Sequence, residues 1–213
     1  MSADAAPFAG LDEAALRELA PGGALRAYAK NVVVVSEGDR TDTLFVVLSG
    51  RVKAFVSDET GREVVVNTIG AGDYFGELVL DGGPRAASVM TLEASRMFII
   101  PQAEVGQMLE RSPAFARDLM KKLIGKVRSL TARVADLALK DVYARLAKFI
   151  EENAVESEGR RAIPDRLTQN DIAARIGGSR EMVSRILKDL AAGGYVSVEA
   201  KQIVLLKKLP PAW

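Results

Sequence analysis

The stretch Thr168–Leu190 reads TQNDIAARIGGSREMVSRILKDL, and it decides the fold of the C-terminal part of the chain. Thr168, followed three residues later by Asp171, is typical of a capping box that opens a helix. The pair Gly177-Gly178 is placed to end that helix, and Ser179 to cap the next one. We therefore predict two short helices joined by a glycine turn, which is the arrangement of a helix-turn-helix.

The second of these helices has an apolar face and a polar face. Residues at the spacing i, i+3, i+4 and i+7 form the apolar stripe, namely Val183, Ile186, Leu187 and Leu190. The opposite face carries Arg180, Glu181, Ser184, Arg185 and Lys188. Arginine can donate to guanine O6 and N7 together, and glutamate can accept from cytosine N4. The pattern predicts a recognition helix for double-stranded DNA, whereas the alternative is a helical hairpin whose polar face meets only water.

Two flanking features favour the DNA interpretation. The short apolar runs Tyr195–Val198 and Ile203–Leu206 are separated by a turn at 199–202, which predicts a β-hairpin that can form the wing of a winged helix. From Arg160 onward the chain has ten basic and five acidic residues, a net charge of +5 in a chain whose total is +1. A local excess of positive charge favours a polyanionic partner.

Two missing residue types exclude most catalytic chemistry. None of the 213 residues is cysteine or histidine. Disulfides, cysteine-ligated iron–sulfur clusters, histidine-ligated haem or zinc, and Ser-His-Asp catalysis are therefore excluded. Carboxylate, lysine or threonine chemistry and metals held by oxygen ligands remain as enzymatic options. We expect neither an enzyme nor a metalloprotein.

The hydropathy pattern gives an expectation about location. Residues 1–10 have no basic start and no apolar core, so we expect no signal peptide there. No apolar run approaches the roughly 18 residues that a membrane-spanning helix needs. We therefore expect a cytoplasmic protein with no membrane partner.

The first hundred residues predict β-structure. Short apolar runs alternate with glycine or acidic turns at a spacing of roughly 8–12 residues, which is typical of a small antiparallel roll or barrel. The predicted strands are Val32–Val35, Leu44–Leu48, Val52–Val56, Val64–Ile69 and Met97–Ile100. A short helix is predicted before them, at Asp12–Ala20.

The apolar period changes from Pro113 onward. Seven residues alternate in spacings of four and three, namely Ala116, Met120, Leu123, Val127, Leu130, Val134 and Leu137. This heptad seam favours a parallel homodimer through the helix 116–137, whereas the alternative is a stripe packed on the chain's own β-roll. Asp141 begins a new helix with Val142, Leu146, Phe149 and Ile150 on one face. We predict a β-roll at 1–112, a dimerisation helix at 113–138 and a winged helix-turn-helix at 139–213.

A segment between the predicted strands has the residues of an anion site. Phe75-Gly-Glu-Leu78 is followed by Asp81-Gly-Gly-Pro-Arg-Ala-Ala87. Glycine lets backbone N–H groups approach a phosphate, arginine supplies positive charge, and a carboxylate can accept from a sugar hydroxyl. The segment predicts a phosphate site, although Gly-Glu and Pro-Arg pairs also occur by chance in turn-rich β-domains.

Taken together, these segments resemble the cyclic-AMP receptor protein/FNR superfamily of bacterial transcription regulators. The resemblance covers about residues 20–207 in the same order of β-roll, phosphate-binding cassette, long helix and winged helix-turn-helix. It implies an α+β fold, a homodimer, double-stranded DNA as a partner and RNA polymerase as a further one. The missing cysteine and histidine separate the chain from the iron–sulfur and haem branches of that superfamily.

The stretch Gly177–Lys188 is similar to the cyclic-AMP receptor branch. This similarity implies that Arg180, Glu181 and Arg185 read a TGTGA-like half-site and that Thr168 touches the DNA backbone. The full predicted DNA-binding set is Thr168, Ser179, Arg180, Glu181, Ser184, Arg185 and Lys188.

The cassette resemblance implies a cyclic nucleotide ligand. Gly76 would lie against the ribose-phosphate, Glu77 would accept from the ribose 2′-hydroxyl, and Arg85 would pair with the cyclic phosphate. Ala86 and Ala87 would offer backbone N–H groups, and Thr131 would reach the purine edge. The full predicted ligand-binding set is Gly76, Glu77, Leu78, Arg85, Ala86, Ala87 and Thr131.

Two departures from the cyclic-AMP receptor bear on the ligand. Leu130 stands where that receptor has a second hydroxyl residue, and Ala86 stands where it has serine. Eukaryotic cyclic-AMP-binding domains use a similar Pro-Arg-Ala-Ala string, so cyclic AMP is the predicted ligand. Cyclic GMP, cyclic di-GMP or no ligand are the alternatives. Two other functions stay open, a nucleotide-binding module that docks a protein and a carboxylate-dependent phosphodiesterase.

Overall fold

The computed structural model describes residue 8 and residues 12–40, 42–157, 159–199 and 201–210. Most of the N-terminal segment 1–10, where we expect no signal peptide, lies outside the described residues. The chain divides into two compact units. The first consists of Met1–Asp58 and Val65–Lys126, and the second of Glu59–Val64 and Val127–Trp213.

The first unit is built around a β-roll of two four-stranded sheets. Helix α1 (Glu13–Leu19) precedes the strands β1 (Ala24–Tyr28), β2 (Val33–Val35), β3 (Thr43–Ser49), β4 (Arg51–Ser57), β5 (Glu63–Gly70), β6 (Tyr74–Phe75), β7 (Ser88–Thr91) and β8 (Ser95–Pro101). One sheet has the order β1-β8-β3-β6 and the other the order β2-β7-β4-β5. A short 3₁₀ helix, Glu77–Asp81, follows β6, and helix α2 (Gln102–Arg111) follows β8.

The central strand β3 is buried on both faces, which explains its unbroken apolar run. Leu44 and Val46 point into a core shared with the helices, whereas Phe45 and Val47 point into the core between the two sheets. Successive side chains of a strand leave on opposite faces, so a strand with a core on each side needs no polar alternation.

The five predicted strands are present, together with three strands that the sequence pattern did not predict. Strand β1 is mostly exposed and shows no apolar alternation, and β6 has only two residues. Strand β7 reads SVMT, with only one strongly apolar residue facing each side. Their pairing is set by β8, β3, β2 and β4, which lie far away in the sequence. The predicted short helix is confirmed, because α1 begins after Asp12, whose side chain accepts from the Ala15 amide at 2.9 Å.

Helix α3 (Pro113–Leu139) is one continuous helix of 27 residues. Near its start, Leu119 is buried and Phe115 and Leu123 pack against the core of the β-roll. Further along, the apolar side chains are about half exposed or more: Met120 55%, Ile124 54%, Val127 63%, Leu130 48%, Val134 66% and Leu137 51%. Packing on the chain's own β-roll therefore applies to the start of the helix, and the homodimer through the helix stays a prediction. The domain boundaries at 112/113 and 138/139 stay predictions.

The second unit is a winged helix. After α3 come α4 (Val142–Asn153), β9 (Val155–Ser157), β10 (Arg160–Ala162), α5 (Gln169–Ile176), α6 (Arg180–Ala192), β11 (Val196–Glu199) and β12 (Gln202–Leu205). The strands form a sheet of order β11-β12-β10-β9. The predicted wing hairpin is present as β11 and β12, although residue 200 in its turn lies outside the described part of the chain.

The polar composition of Asn153–Arg161 predicts a plain solvated loop, and this prediction is wrong. Strands β9 and β10 pair antiparallel there, with Val155 opposite Ala162, and β10 in turn pairs with β12. The side chains of this segment are mostly polar, so side-chain patterning carried no strand signal. Strands pair through backbone hydrogen bonds, which side-chain patterning does not reveal. The strand that β10 pairs with, β12, lies more than 40 residues away in the sequence.

None of the described helices combines the length and the apolar character that crossing a bilayer requires.

Candidate nucleotide site and DNA-binding surface

The cassette begins at a glycine that no other residue can replace without strain. Gly76 has φ +88° and lies between β6 and the 3₁₀ helix Glu77–Asp81. A Cβ at this position would lie 2.7 Å from Nη1 of Arg85 and 3.0 Å from the carbonyl oxygen of Thr43. Gly76 is therefore needed both for its backbone conformation and for the space that it leaves to the Arg85 side chain.

Arg85 is a buried cation that neutral groups hold in place. It is 8% exposed, and its Nη2 donates to the carbonyl and hydroxyl oxygens of Thr43 at 2.7 and 3.1 Å. Its Nη1 donates to the Gly76 carbonyl at 3.4 Å, while the buried Nε has no hydrogen-bond partner among the described residues. Burial lowers the pKa of Arg85, and the nearby negative charge of Glu77 opposes this shift. Arginine stays protonated under such shifts, so the site holds a fixed positive charge.

Glu77 is the second buried charge of the cassette, at 6% exposure. Its Oε1 accepts a hydrogen bond from Nζ of Lys126 on α3. Its Oε2 is buried and has no partner within the described residues. Buried carboxylate oxygens are normally hydrogen-bonded, so this atom is available to a donor from outside the chain.

A second lysine of α3 contacts the same edge of the β-roll. Nζ of Lys122 pairs with Asp73 and donates to the Tyr74 carbonyl at 2.5 Å. It also lies 3.4 Å from the centre of the Tyr74 ring. Burial lowers the pKa of Lys122, and its hydrogen bond to Asp73 opposes that shift. Lys122 and Lys126 are one helical turn apart, so together they attach one face of α3 to the cassette edge.

Neither lysine is recognisable from the sequence as part of the site. Both are off the apolar seam, where lysine is typical of a solvated helix face. Each ion pair joins residues 49 positions apart, Lys122 with Asp73 and Lys126 with Glu77. The sequence signal for the two lysines is their spacing of four residues, which is too common in helices to indicate a binding site.

The other predicted ligand residues lie in varied surroundings. Leu78 is 45% exposed, Ala86 is exposed and Ala87 is half-buried. Thr131 is exposed, and its hydroxyl donates to the Val127 carbonyl of its own helix at 2.9 Å. The structure thus brings together Gly76, Glu77 and Arg85, and the contribution of Thr131 stays a prediction.

The chemistry of this cluster suits an anion that also carries a hydroxyl group. Arg85 offers positive charge and an unused donor, and Glu77 offers an unused acceptor. Charge-assisted hydrogen bonds to a buried guanidinium and a buried carboxylate are roughly twice as strong as neutral ones.

The predicted caps of the helix-turn-helix are confirmed. The Thr168 hydroxyl accepts from the Asp171 amide at 3.1 Å, and the Asp171 carboxylate accepts from the Thr168 amide at 2.8 Å, which completes a capping box. Gly177 ends α5 with φ +67°. Ser179 opens α6, because its hydroxyl accepts from the Met182 amide at 3.2 Å.

Helix α6 has the two predicted faces. Its apolar stripe is buried at Val183, Ile186, Leu187 and Leu190. On the opposite side, Arg180, Glu181, Arg185 and Lys188 are exposed and Ser184 is half-buried. Ser179 and Thr168, at the helix starts, are also exposed. Five hydrogen-bonding side chains on one helix face can reach base edges in a major groove.

A β-roll that holds a buried arginine–glutamate cassette, joined by a long helix to a winged helix-turn-helix, defines a class of DNA-binding regulators with a ligand-binding domain. Comparison with known proteins supports this class for both parts of the chain. Residues 25–112 match the family model of the cyclic nucleotide-binding domain, and residues 144–209 match that of the Crp-like helix-turn-helix domain. The chain belongs to the cyclic-AMP receptor protein/FNR family of bacterial transcription regulators.

Two relatives and one solved structure illustrate the similarity. The CRP-like cAMP-activated global transcriptional regulator of Mycobacterium tuberculosis is 31% identical over 177 residues, which cover 81% of this chain and 79% of that protein. The cAMP-activated global transcriptional regulator Vfr of Pseudomonas aeruginosa is 30% identical, with coverage of 84% and 88%. The structure of the c-di-GMP responsive global regulator CLP of Xanthomonas campestris has a TM-score of 0.79 at 26% identity, with coverage of 90% and 97%.

Proposed function

We propose that this chain is a transcription regulator that cyclic AMP switches on, and that it acts as a homodimer on a TGTGA-like palindrome. The observation that carries the proposal is the buried pair Glu77 and Arg85, each with one polar atom that no described residue satisfies. In this proposal the chain has no catalytic activity, and RNA polymerase is a partner of the DNA-bound dimer.

Each buried group has one part of the nucleotide to bind. The cyclic phosphate pairs with the Arg85 guanidinium, and the ribose 2′-hydroxyl donates to the free oxygen of Glu77. The other oxygen of Glu77 is already paired with Lys126 on α3. A nucleotide that engages Glu77 therefore contacts the same carboxylate that holds α3 to the cassette.

The relatives support cyclic AMP, and one solved structure supports an alternative. The Mycobacterium and Pseudomonas regulators are named as cAMP-activated. The Xanthomonas regulator is named as responsive to cyclic di-GMP. Cyclic di-GMP is therefore the second candidate ligand, and cyclic GMP is the third.

The half-exposed apolar side chains of α3 support a homodimer. Five seam residues are 48–66% exposed in a single chain, namely Met120, Val127, Leu130, Val134 and Leu137. Pairing two copies in parallel covers both seams at once, because residues spaced alternately by three and four form knobs-into-holes contacts. The two α6 helices of such a dimer fit successive major grooves about 34 Å apart on one side of the DNA.

The proposal is tested by fluorescence anisotropy on a palindromic TGTGA duplex, without nucleotide and with cyclic AMP, cyclic GMP or cyclic di-GMP. We expect tight binding with cyclic AMP only. Tight binding with another nucleotide would replace the ligand and keep the DNA function. Tight binding without any nucleotide would indicate a ligand-independent regulator.

A salt titration of the same complex separates DNA binding from protein docking. Phosphate contacts release counterions, so log affinity falls steeply with log salt concentration. A protein-interaction module predicts little salt dependence and no preference for the duplex. Incubation with cyclic AMP and magnesium, followed by a search for AMP, tests the phosphodiesterase alternative.

The Arg180→Ala variant is expected to lose about 1–3 kcal/mol of discrimination at one base pair of the half-site. The reason is that an arginine at the exposed start of α6 can donate to guanine O6 and N7 together. Affinities for a set of single-base variants of the duplex measure this loss. Lys188→Ala is the matched control, because Lys188 is outside the residues predicted to read bases (Arg180, Glu181 and Arg185), so its loss should lower affinity by a similar factor for every duplex. A uniform loss for Arg180→Ala would identify Arg180 as a phosphate contact instead.

A further inference from the structure

The helix α6 contains a methionine that contacts one of its exposed arginines. Met182 lies in the first turn of α6, and Arg185 follows three residues later. Nη2 of Arg185 donates a hydrogen bond to Sδ of Met182 at 2.8 Å. Side chains three residues apart are neighbours on the surface of a helix, so the helix itself brings this pair together.

The position of Met182 is fixed from two sides. Its side chain is half-buried and packs against the hydrophobic core of the winged helix. Its backbone amide donates to the Ser179 hydroxyl at 3.2 Å, which places it in the capped first turn of α6. Its neighbour Val183 is fully buried. The thioether is therefore held at the border between the apolar stripe and the exposed face of α6.

The contact with Met182 restricts an arginine that is otherwise exposed to solvent. A free arginine side chain samples many rotamers, and ordering it on binding costs conformational entropy. A guanidinium has five N–H donors, so one bond to sulfur leaves the others available to a base edge. Thioether sulfur is also a weak acceptor, so a base can take over the shared donor as well.

The chemistry of the thioether suits this task better than that of other side chains. Leucine has a similar volume and can pack on the same core, but it accepts no hydrogen bond. A carboxylate at this position would form an ion pair with the guanidinium, and that pair would compete with DNA for the arginine. Methionine therefore orders Arg185 and leaves its positive charge available to DNA.

We propose that Met182 is a positioning residue that orients Arg185 for base reading and so contributes to the sequence specificity of α6. This role rests on the proposed function, in which Arg185 reads a base of the half-site. An arginine that is ordered before binding loses less freedom at the base edge, and its fixed direction favours one base over the others. The helical pattern assigns Met182 to neither face of α6, and its contact with Arg185 gives it this role.

The first test measures the order of the Arg185 side chain in the full-length protein without DNA. Nitrogen relaxation at Nε gives an order parameter for each arginine side chain. We expect Met182→Leu to lower the order parameter of Arg185 and to leave that of Arg180 unchanged. Met90→Leu is the matched control, because it makes the same substitution at a half-buried methionine of β7. It should leave the order parameter of Arg185 at the wild-type value.

The second test measures binding to single-base variants of the TGTGA duplex in the presence of cyclic AMP. Arg185→Ala first identifies the base pair at which discrimination depends on Arg185. At that base pair, Met182→Leu is expected to reduce discrimination about threefold. Met182→Gln supplies a stronger acceptor at a similar reach and should keep the wild-type discrimination. In the Arg185→Ala background, Met182→Leu should have no further effect there, because the two residues act as a pair.

A purely structural role of Met182 predicts a different pattern. Looser packing of α6 lowers the melting temperature and weakens binding to every duplex by a similar factor. The positioning role instead predicts a loss at the Arg185 base pair and wild-type discrimination at the base pair that depends on Arg180. Leucine conserves the apolar volume, so we expect the Met182→Leu protein to fold.

The outcomes separate this inference from the proposed function. An unchanged order parameter of Arg185 in Met182→Leu overturns the ordering role, whatever the protein does with DNA. A lower order parameter with unchanged discrimination overturns the role in specificity. A uniform loss for Arg185→Ala shows that Arg185 reads no base, which overturns this inference and leaves DNA binding intact. A wild type that binds every duplex equally overturns the proposed function, and the relaxation data then decide whether Met182 orders Arg185.

Discussion

Arg85→Leu is expected to abolish the cyclic-AMP response of DNA binding and to lower nucleotide affinity by about 100-fold. Arg85 is the buried positive charge of the cassette, and its Nε is unpartnered among the described residues. Leucine cannot pair with the cyclic phosphate, and it leaves the desolvated anion facing the carboxylate of Glu77. Isothermal titration with cyclic AMP measures the loss, and anisotropy on the TGTGA duplex measures the response.

The matched control for this variant is Arg96→Leu. Arg96 lies in the same β-roll, has a side chain that is 56% exposed, and pairs with Glu13 at 3.6 Å. Exposed pairs of this kind contribute little to stability, so the control should behave as wild type. Arg85→Leu also frees the carbonyls of Thr43 and Gly76, so a modest fall in melting temperature is expected in a protein that still folds. Wild-type nucleotide affinity in a folded Arg85→Leu protein would show that the cassette is not the ligand site.

The double variant Leu130→Asp with Val134→Asp is expected to be a monomer and to bind the palindrome more than about 100-fold more weakly. The two side chains are 48% and 66% exposed in the single chain and lie on the predicted dimer seam. In a parallel pair each new carboxylate faces its own copy, and an uncompensated buried charge costs about 3–5 kcal/mol. Sedimentation velocity gives the oligomeric state, and anisotropy gives the DNA affinity.

The control places the same two charges off the seam, as Ala132→Asp with Ala135→Asp. Both alanines are exposed, and both substitutions carry a similar cost in helix propensity. The off-seam variant should stay dimeric and bind DNA as the wild type does. A wild-type chain that is already monomeric, or a seam variant that stays dimeric, contradicts the proposed interface.

Local signals in the sequence were sufficient for the helix-turn-helix. The capping box of Thr168 and Asp171, the glycine end of α5 and the serine cap of α6 are all present where the sequence predicts them. Each of these contacts joins residues no more than four positions apart, so the chain specifies them without help from the rest of the fold. The buried stripe of α6 follows from helical periodicity in the same way.

The sequence did not predict strands whose pairing partners lie far away in the chain. The hairpin of β9 and β10 was predicted as a loop because its side chains are polar and its strand partner, β12, lies more than 40 residues away. Strands β1, β6 and β7 were missed for a related reason, since they are short or lack an alternating pattern. In each case the partner strand, and not the segment itself, determines the conformation.

Residues close together in the chain specify the class of the protein, through a cassette, a heptad helix and a capped helix-turn-helix. The folded chain, and not the local sequence, pairs Lys126 with Glu77 and brings the Arg145 guanidinium to the carbonyls of Lys140, Ile176 and Gly177. A lysine or arginine on a helix has the same local pattern whether it meets water or a buried acceptor. Packing between distant segments selects its partner, and that pairing gives the cassette its charge balance.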